Sequence, residues 1–319
     1  MEFLQQVKQS DDSWHLCLGL FVDNPSGPQF TRVFALDVVS AAVLRRYNEG
    51  KDLASLQVVK DTLMKYIRDS YGPGSYTHDN AAIQNKLTQT ITYLFLAMYG
   101  SSWTTFFDEM LQITTSGTVG GISGSTLPDN LTGVVFYLRI VAGIHDEVAD
   151  VLVPRTQAEA QRNGLLKDQM RERDVVKLVA SWHEILAEWK DKNDFIVEMC
   201  LKVIGRWASW INISLILIPD FVTLLWSLLT YSGRVKDASL DAMAVIVGKK
   251  MNPREKIELI EFMKLVEMIG ALMAQDIALQ ANTPTYNVDL AEKVARLVNN
   301  VGTELVKAID LVGVVSLNT

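Results

Sequence analysis

Four histidines and two cysteines are the residues from which a metal site or a nucleophilic pair would have to be built. His183-Glu184 opens as a zinc-protease helix does, but the second histidine is due at the position held by Ala187. His145-Asp146-Glu147 stands at the end of an apolar helical pattern, an ordinary place for a histidine beside the last carbonyls. Cys17 and Cys200 are far apart, each within an apolar helical pattern, and read as two reduced core thiols without zinc spacing. His15 and His78 have no partner at ligand spacing. The run from Gly117 to Thr126 has the glycine content of a phosphate loop. It lacks the lysine, follows a helix where a strand is required, and has Ser125 where a nucleophile elbow needs its last glycine. It reads as an inter-repeat loop. No cofactor, metal or catalytic constellation is expected, and a hydrolase reading has nothing behind it.

Cations and aromatics are the remaining candidates, and their chemistry is binding. Trp103, Phe106 and Phe107 recur at helical spacing, as do Trp207 and Trp210; core packing explains them better than base stacking. Lys167, Arg171, Arg173 and Lys177 share one helix but not one face, because at roughly 100° per residue only Lys167 and Arg171 lie close. Asp168, Glu172 and Asp174 interrupt them. Lys249, Lys250, Arg254 and Lys256 crowd around a turn and form the densest positive patch, with Lys60, Lys65 and Arg68 a looser one.

These residues must be held by helices. The chain has 319 residues, 49% of them hydrophobic, and carries 30 Lys and Arg against 37 Asp and Glu, a net charge of −7. That is ample for a large core and argues against wholesale nucleic-acid binding, while leaving room for a basic patch on one face. Between Trp207 and Thr230 the only charge is Asp220, but Pro219 beside it favours two short buried helices over a membrane span. The first residues lack the basic start and apolar run of a secretory signal, so no membrane insertion is expected.

Helical periodicity runs almost throughout. Over 194–210, Ile196, Met199, Cys200, Val203, Ile204 and Trp207 form one stripe. Asn252-Pro253-Arg254-Glu255 is a helix start with cap, first-turn proline and returning glutamate. Punctuation divides the chain into helical segments 28–48 and 51–70, 78–99 and 101–115, 129–150 and 164–190, 194–210 and 219–231, 234–248 and 253–275, with a last helix near 285–312. Pairs recur about every 40 to 50 residues, the period of HEAT or armadillo repeats. In 253–275, Leu259, Phe262, Met263 and Val266 form one stripe with Ile257 and Ile260 off it, as a helix between two neighbours requires. The expected fold is an all-α solenoid of antiparallel helix pairs, HEAT- or armadillo-like, serving as a binding scaffold.

Several ordered blocks resemble the exportin-T family of tRNA export receptors, within the importin-β superfamily. They are Phe136-Tyr137-Leu138-Arg139-Ile140 through His145-Asp146-Glu147-Val148-Ala149-Asp150, then Arg162-Asn163, Lys167-Asp168-Gln169-Met170-Arg171-Glu172 and Val179-Ala180-Ser181-Trp182. Ile83-Gln84-Asn85-Lys86, Ser102-Trp103-Thr104-Thr105-Phe106-Phe107-Asp108, Trp207-Ala208-Ser209-Trp210-Ile211 and Met251-Asn252-Pro253 are similar too. Together they run from about Phe30 to about Val312. Family members are far longer, so the chain looks like their N-terminal portion, with the family's first helix missing. The resemblance implies a receptor shuttling between nucleus and cytoplasm that binds RanGTP and mature tRNA together, deals with nuclear pore proteins, and releases cargo in the cytoplasm. It implies Ran contact within 1–115, on the second helices of the first pairs, with Ser13, Lys60, Lys65, Arg68, Ser102, Thr105 and Asp108 as candidates. It further implies a connecting loop at 116–128 and repeats at 129–319. For tRNA the candidates are Lys167, Arg171, Lys249, Lys250, Arg254 and Lys256, acting on backbone and shape. A general HEAT scaffold for protein partners, without an RNA role, is the competing reading.

Overall fold

The computed structural model describes residues 2–10, 12–50, 52–75, 77–116, 127–231, 233–280 and 288–317, without the side chains of 2–3, 275–280 and 312–317. Most of the glycine-rich interval, 117–126, lies outside the described residues. The fold is all-α and HEAT-like, and no strand occurs among the described residues. The backbone forms two compact units, Met1–Glu188 and Trp189–Thr319.

In the first unit the helices are α1 (Glu2–Gln9), α2 (Ser13–Val22), α3 (Gln29–Glu49), α4 (Leu53–Tyr71), α5 (Ala81–Met98), α6 (Phe106–Gln112), α7 (Leu131–Val148), α8 (Gln157–Arg173) and α9 (Val175–Trp189). α1, α3, α5 and α7 pack in one row, and α2 lies against α4 behind it. This alternation is what paired helices must adopt when each needs neighbours on two sides. Gly50 ends α3 in the left-handed region, where a side chain would be strained. Asn130 ties two helix ends together by donating to the carbonyls of Tyr71 and Ile113 at 2.8 and 2.6 Å. Gly133 must be glycine there, since a Cβ would stand 1.8 Å from the Ile113 oxygen.

A buried ionic cluster holds α3 and α4 to the start of α5. Arg32, 1% exposed, donates to Asp79 Oδ1 and to the Tyr66 hydroxyl, both at 2.6 Å. Tyr66 and Tyr71 in turn donate to the Asp79 carboxylate at 2.8 and 2.7 Å. Burial and the adjacent carboxylate push the Tyr66 phenol up to about 12, so it stays a donor.

The second unit contains α10 (Asp194–Ala208), a 3-10 turn at Ile213–Leu215, α11 (Pro219–Leu228), α12 (Arg234–Gly248), α13 (Pro253–Phe262), α14 (Leu265–Gln280) and α15 (Val288–Leu317). α10, α12 and α15 make its row, and α13 packs on α15. Pro219 is the first residue of α11, and no helix among the described residues is long and apolar enough to cross a membrane. Cys17 and Cys200 are both buried.

Three expected helices are corrected. The 101–115 segment is helical only over Phe106–Gln112, because the residues before it form turns. The 164–190 segment starts earlier and breaks at Asp174, whose buried carboxylate accepts from Tyr99 at 2.5 Å and pairs with Lys177 at 2.9 Å. The 253–275 segment breaks at Lys264, which has φ 49°, where the Trp226 indole donates to the Met263 carbonyl at 2.9 Å. The break ends the helical register. Leu259, Ile260 and Met263 are buried, but Phe262 and Val266 of the expected stripe are 45% and 61% exposed.

Candidate nucleic-acid and protein interfaces

The N-terminal candidates converge in part. Glu109 of α6 accepts from the Trp103 indole at 3.0 Å and from the Thr105 hydroxyl at 2.8 Å, and lies 3.8 Å from Arg68 of α4. The Lys60 ammonium sits 5.2 Å over the Trp103 ring and 3.6 Å from Asp61. Lys60, Arg68 and Thr105 therefore belong to one patch on α4 and the start of α6. Asp108 joins it to α9 by an ion pair with Lys177 at 2.5 Å. Lys65 and Ser102 are exposed on the same two segments. Ser13 stands apart, its hydroxyl donating to the carbonyls of Val7 and Ser10 in the turn between α1 and α2. Glu109 and Lys177, which organise this patch, were not expected from sequence. The i,i+4 spacing of Thr105 and Glu109 was the available signal for the first.

On the opposite row, Asp37 of α3 joins Lys8 of α1 and Lys86 of α5, each at 2.6 Å. These three residues and Arg45, Gln89 and Tyr93 line a groove of about 530 Å³. Burial works against the Asp37 charge, but hydrogen bonds from both lysines outweigh it and hold the carboxyl below the usual range.

Lys167 and Arg171 lie on α8, the former half-buried, the latter exposed and paired with Asp168 at 2.7 Å. The remaining cations belong to the second unit, and geometry separates them. Lys256 is 2% exposed. Its ammonium donates to the Val247 carbonyl and, at 2.7 Å, to the Lys249 carbonyl, and faces Glu304 of α15 at 3.3 Å. Burial lowers its pKa despite that carboxylate. Such a group braces the turn and cannot meet a ligand from outside, so the structure disfavours its candidacy. Lys249 is half-buried and donates to the last carbonyls of α10, Ala208 at 2.9 Å and Ser209 at 3.0 Å. Lys250 and Arg254 are exposed.

Lys249 and Lys250 line a groove of about 470 Å³ with Ser209, Val245, Arg296 and Asn300 among its other walls. Its lining contains no carboxylate. Arg296 and Asn300 come from α15 and were missed, since nothing local in the sequence links that helix to the turn after α12. No cluster of metal-ligating residues occurs among the described residues.

Stacked helix pairs with polar grooves and patches define a helical-repeat protein. In comparison with known families, residues 80–243 match the model of the exportin 1-like protein family, and the chain belongs to that family. Within it, the chain is similar to proteins named Exportin-T. It is 41% identical over 319 residues to that of Aspergillus oryzae, covering 97% of this chain and 30% of the relative. The Neurospora crassa protein is 41% identical over 322 residues and that of Phaeosphaeria nodorum 40% over 320, with the same coverage of 97% and 30%. The chain thus spans about 30% of the length of these curated relatives. Among solved structures, an engineered protein is alike at 12% identity and a TM-score of 0.43, covering 92% of this chain and 98% of that one, which is too distant to carry an argument.

Proposed function

We propose that this chain is part of a nuclear export receptor for tRNA, a shuttling protein that holds RanGTP and mature tRNA together in the nucleus and releases the tRNA in the cytoplasm. The observation that carries the reading is identity of about two residues in five along 97% of the chain to proteins named Exportin-T. Residues 1–115 serve Ran, with the patch around Lys60, Arg68, Thr105 and Asp108 as its surface. Residues 116–128 connect, and 129–319 carry repeats that reach cargo. The receptor works without a cofactor and not as an enzyme, and passes the pore by contact with nuclear pore proteins. Cooperativity follows if each ligand stabilises the same arrangement of repeats, since coupling between sites is reciprocal.

A receptor of family length containing this chain tests the reading by filter binding of folded tRNA, with and without Ran locked in its GTP form. Ran should tighten tRNA binding, and affinity should fall steeply with salt. Binding that ignores both Ran and salt would favour the protein scaffold without an RNA role.

A further inference from the structure

The first unit has another groove, of about 230 Å³, lined from the ends of α3 and α7, from α5 and from α8. It is smaller than the sites that take drug-sized ligands. Its charged lining is balanced, with Glu147 and Glu159 against Arg155 and Arg162. Two of these four are already engaged. Arg155 donates to the carbonyls of Asp146 at 2.7 Å, Glu147 at 3.1 Å, Val153 at 3.3 Å and Asp150, which fastens the loop after α7. Glu159 accepts from the amide and the hydroxyl of Thr156, both at 2.8 Å, and closes the cap of α8.

The other two have no such partners. The Glu147 carboxylate is half-buried, with neither a hydrogen bond nor an ion pair among the described residues. Burial raises its pKa even with the Arg155 charge nearby. The Arg162 guanidinium lies 4.6 Å over the Tyr47 ring, and its buried Nε has no hydrogen-bond partner. It forms no ion pair with Glu147 or with any other described carboxylate. A partly buried charge without a partner is costly, so each of the two is suited to a group of opposite sign entering from outside. The wall between them is apolar, with Leu44, Leu96, Val153 and Pro154 beside the two tyrosines Tyr47 and Tyr93.

We infer that this groove binds a free α-amino acid with an apolar side chain, its ammonium on Glu147 and its carboxylate on Arg162. A carboxylate accepts from an ammonium, and a guanidinium presents a fork of donors to a carboxylate. A simple ion would satisfy one of the two charges and leave the other as it stands. A zwitterion meets both, and its side chain rests on the apolar wall. The Tyr47 ring holds the Arg162 guanidinium in place. Neither the groove nor its ligand enters the transport reading, so either can fail without the other.

L-Leucine, titrated calorimetrically into the 319-residue chain, tests the inference beside two analogues that each lack one charge. Leucinamide keeps the ammonium, and N-acetyl-leucine keeps the carboxylate. Leucine should bind, and each analogue should bind about tenfold more weakly for want of one charge-assisted contact. Leucine should also raise the Tm, as a ligand does that binds only the folded state. Glu147→Gln should weaken leucine about tenfold and leave N-acetyl-leucine unchanged, since that analogue lacks the ammonium contact already. Arg162→Gln should weaken leucine equally and leave leucinamide unchanged. The ligand series is measured on the unsubstituted chain, so the test does not depend on either variant folding. Absence of saturable leucine binding overturns the site, as does equal affinity for all three compounds or a loss of all three alike in the variants. A capped peptide with adjacent lysine and aspartate that binds more tightly than leucine also overturns it, because the groove would then take the side chains of a protein.

Discussion

The two units use charge in opposite ways. In the first, a buried charge meets a side-chain partner of opposite sign: Arg32 meets Asp79, which two tyrosines also hold, and buried Asp174 meets Tyr99 and the partly exposed Lys177. In the second, Lys249 and Lys256 meet backbone carbonyls at helix ends. The side-chain clusters neutralise themselves and act as pins. The lysines on carbonyls offset the negative ends of the helices, and Lys256 is in addition paired with Glu304 at 3.3 Å. A cation's type and spacing therefore say little about its use until its partner is known.

The largest test of this contrast is Asp79→Ala. It leaves the Arg32 guanidinium buried without a counter-charge, and a cost of about 3–5 kcal/mol is expected in urea denaturation. Hydrogen exchange should rise across α3 to α5 first. A smaller loss, of about 1–3 kcal/mol, is expected for Lys256→Ala, which strips a donor from two carbonyls. Exchange should rise locally over residues 247–256. Equal costs for the two substitutions would break the comparison, because lysine-on-carbonyl contacts would then be pins as well.

Asp37 offers a pH test with a weaker effect. Its carboxyl is held below the ordinary range, so its contribution is complete above the unfolded pKa of about 3.9 and is lost as pH falls from there through the folded value. Asp37→Asn should flatten the acid limb of the stability profile below about pH 4. At neutral pH its cost should stay under about 1 kcal/mol, because the pair is partly open to solvent. Smallest of all is Phe262→Ser, expected within about 0.5 kcal/mol by thermal melting, since this ring is 45% exposed. A loss of several kcal/mol would restore the continuous stripe expected from sequence.

The helical segments were largely legible because apolar periodicity and caps are local signals. Asn252 caps α13 by accepting from the Arg254 amide at 3.0 Å, as its sequence announced. Of the candidate sites, the 249–256 turn was legible as a cluster but not as a division of labour. Lys256 and Lys250 look alike in sequence, yet one is buried on carbonyls and the other exposed. Arg296 and Asn300 were invisible because a groove wall drawn from another helix leaves no trace in local spacing.

By itself, then, the order of residues determined the class of fold, the main helices and the family resemblance, since each rests on short-range pattern or on blocks in sequence. Only the tertiary structure decided where long helical patterns break. At Lys264 the Trp226 indole, from a different helix, is bonded to the Met263 carbonyl, and at Asp174 the hydroxyl of Tyr99, just past the end of α5, donates to the carboxylate. It also decided which cations face outward, because the identity of a charge's partner is set by packing between helices remote in sequence and not by the residues on either side.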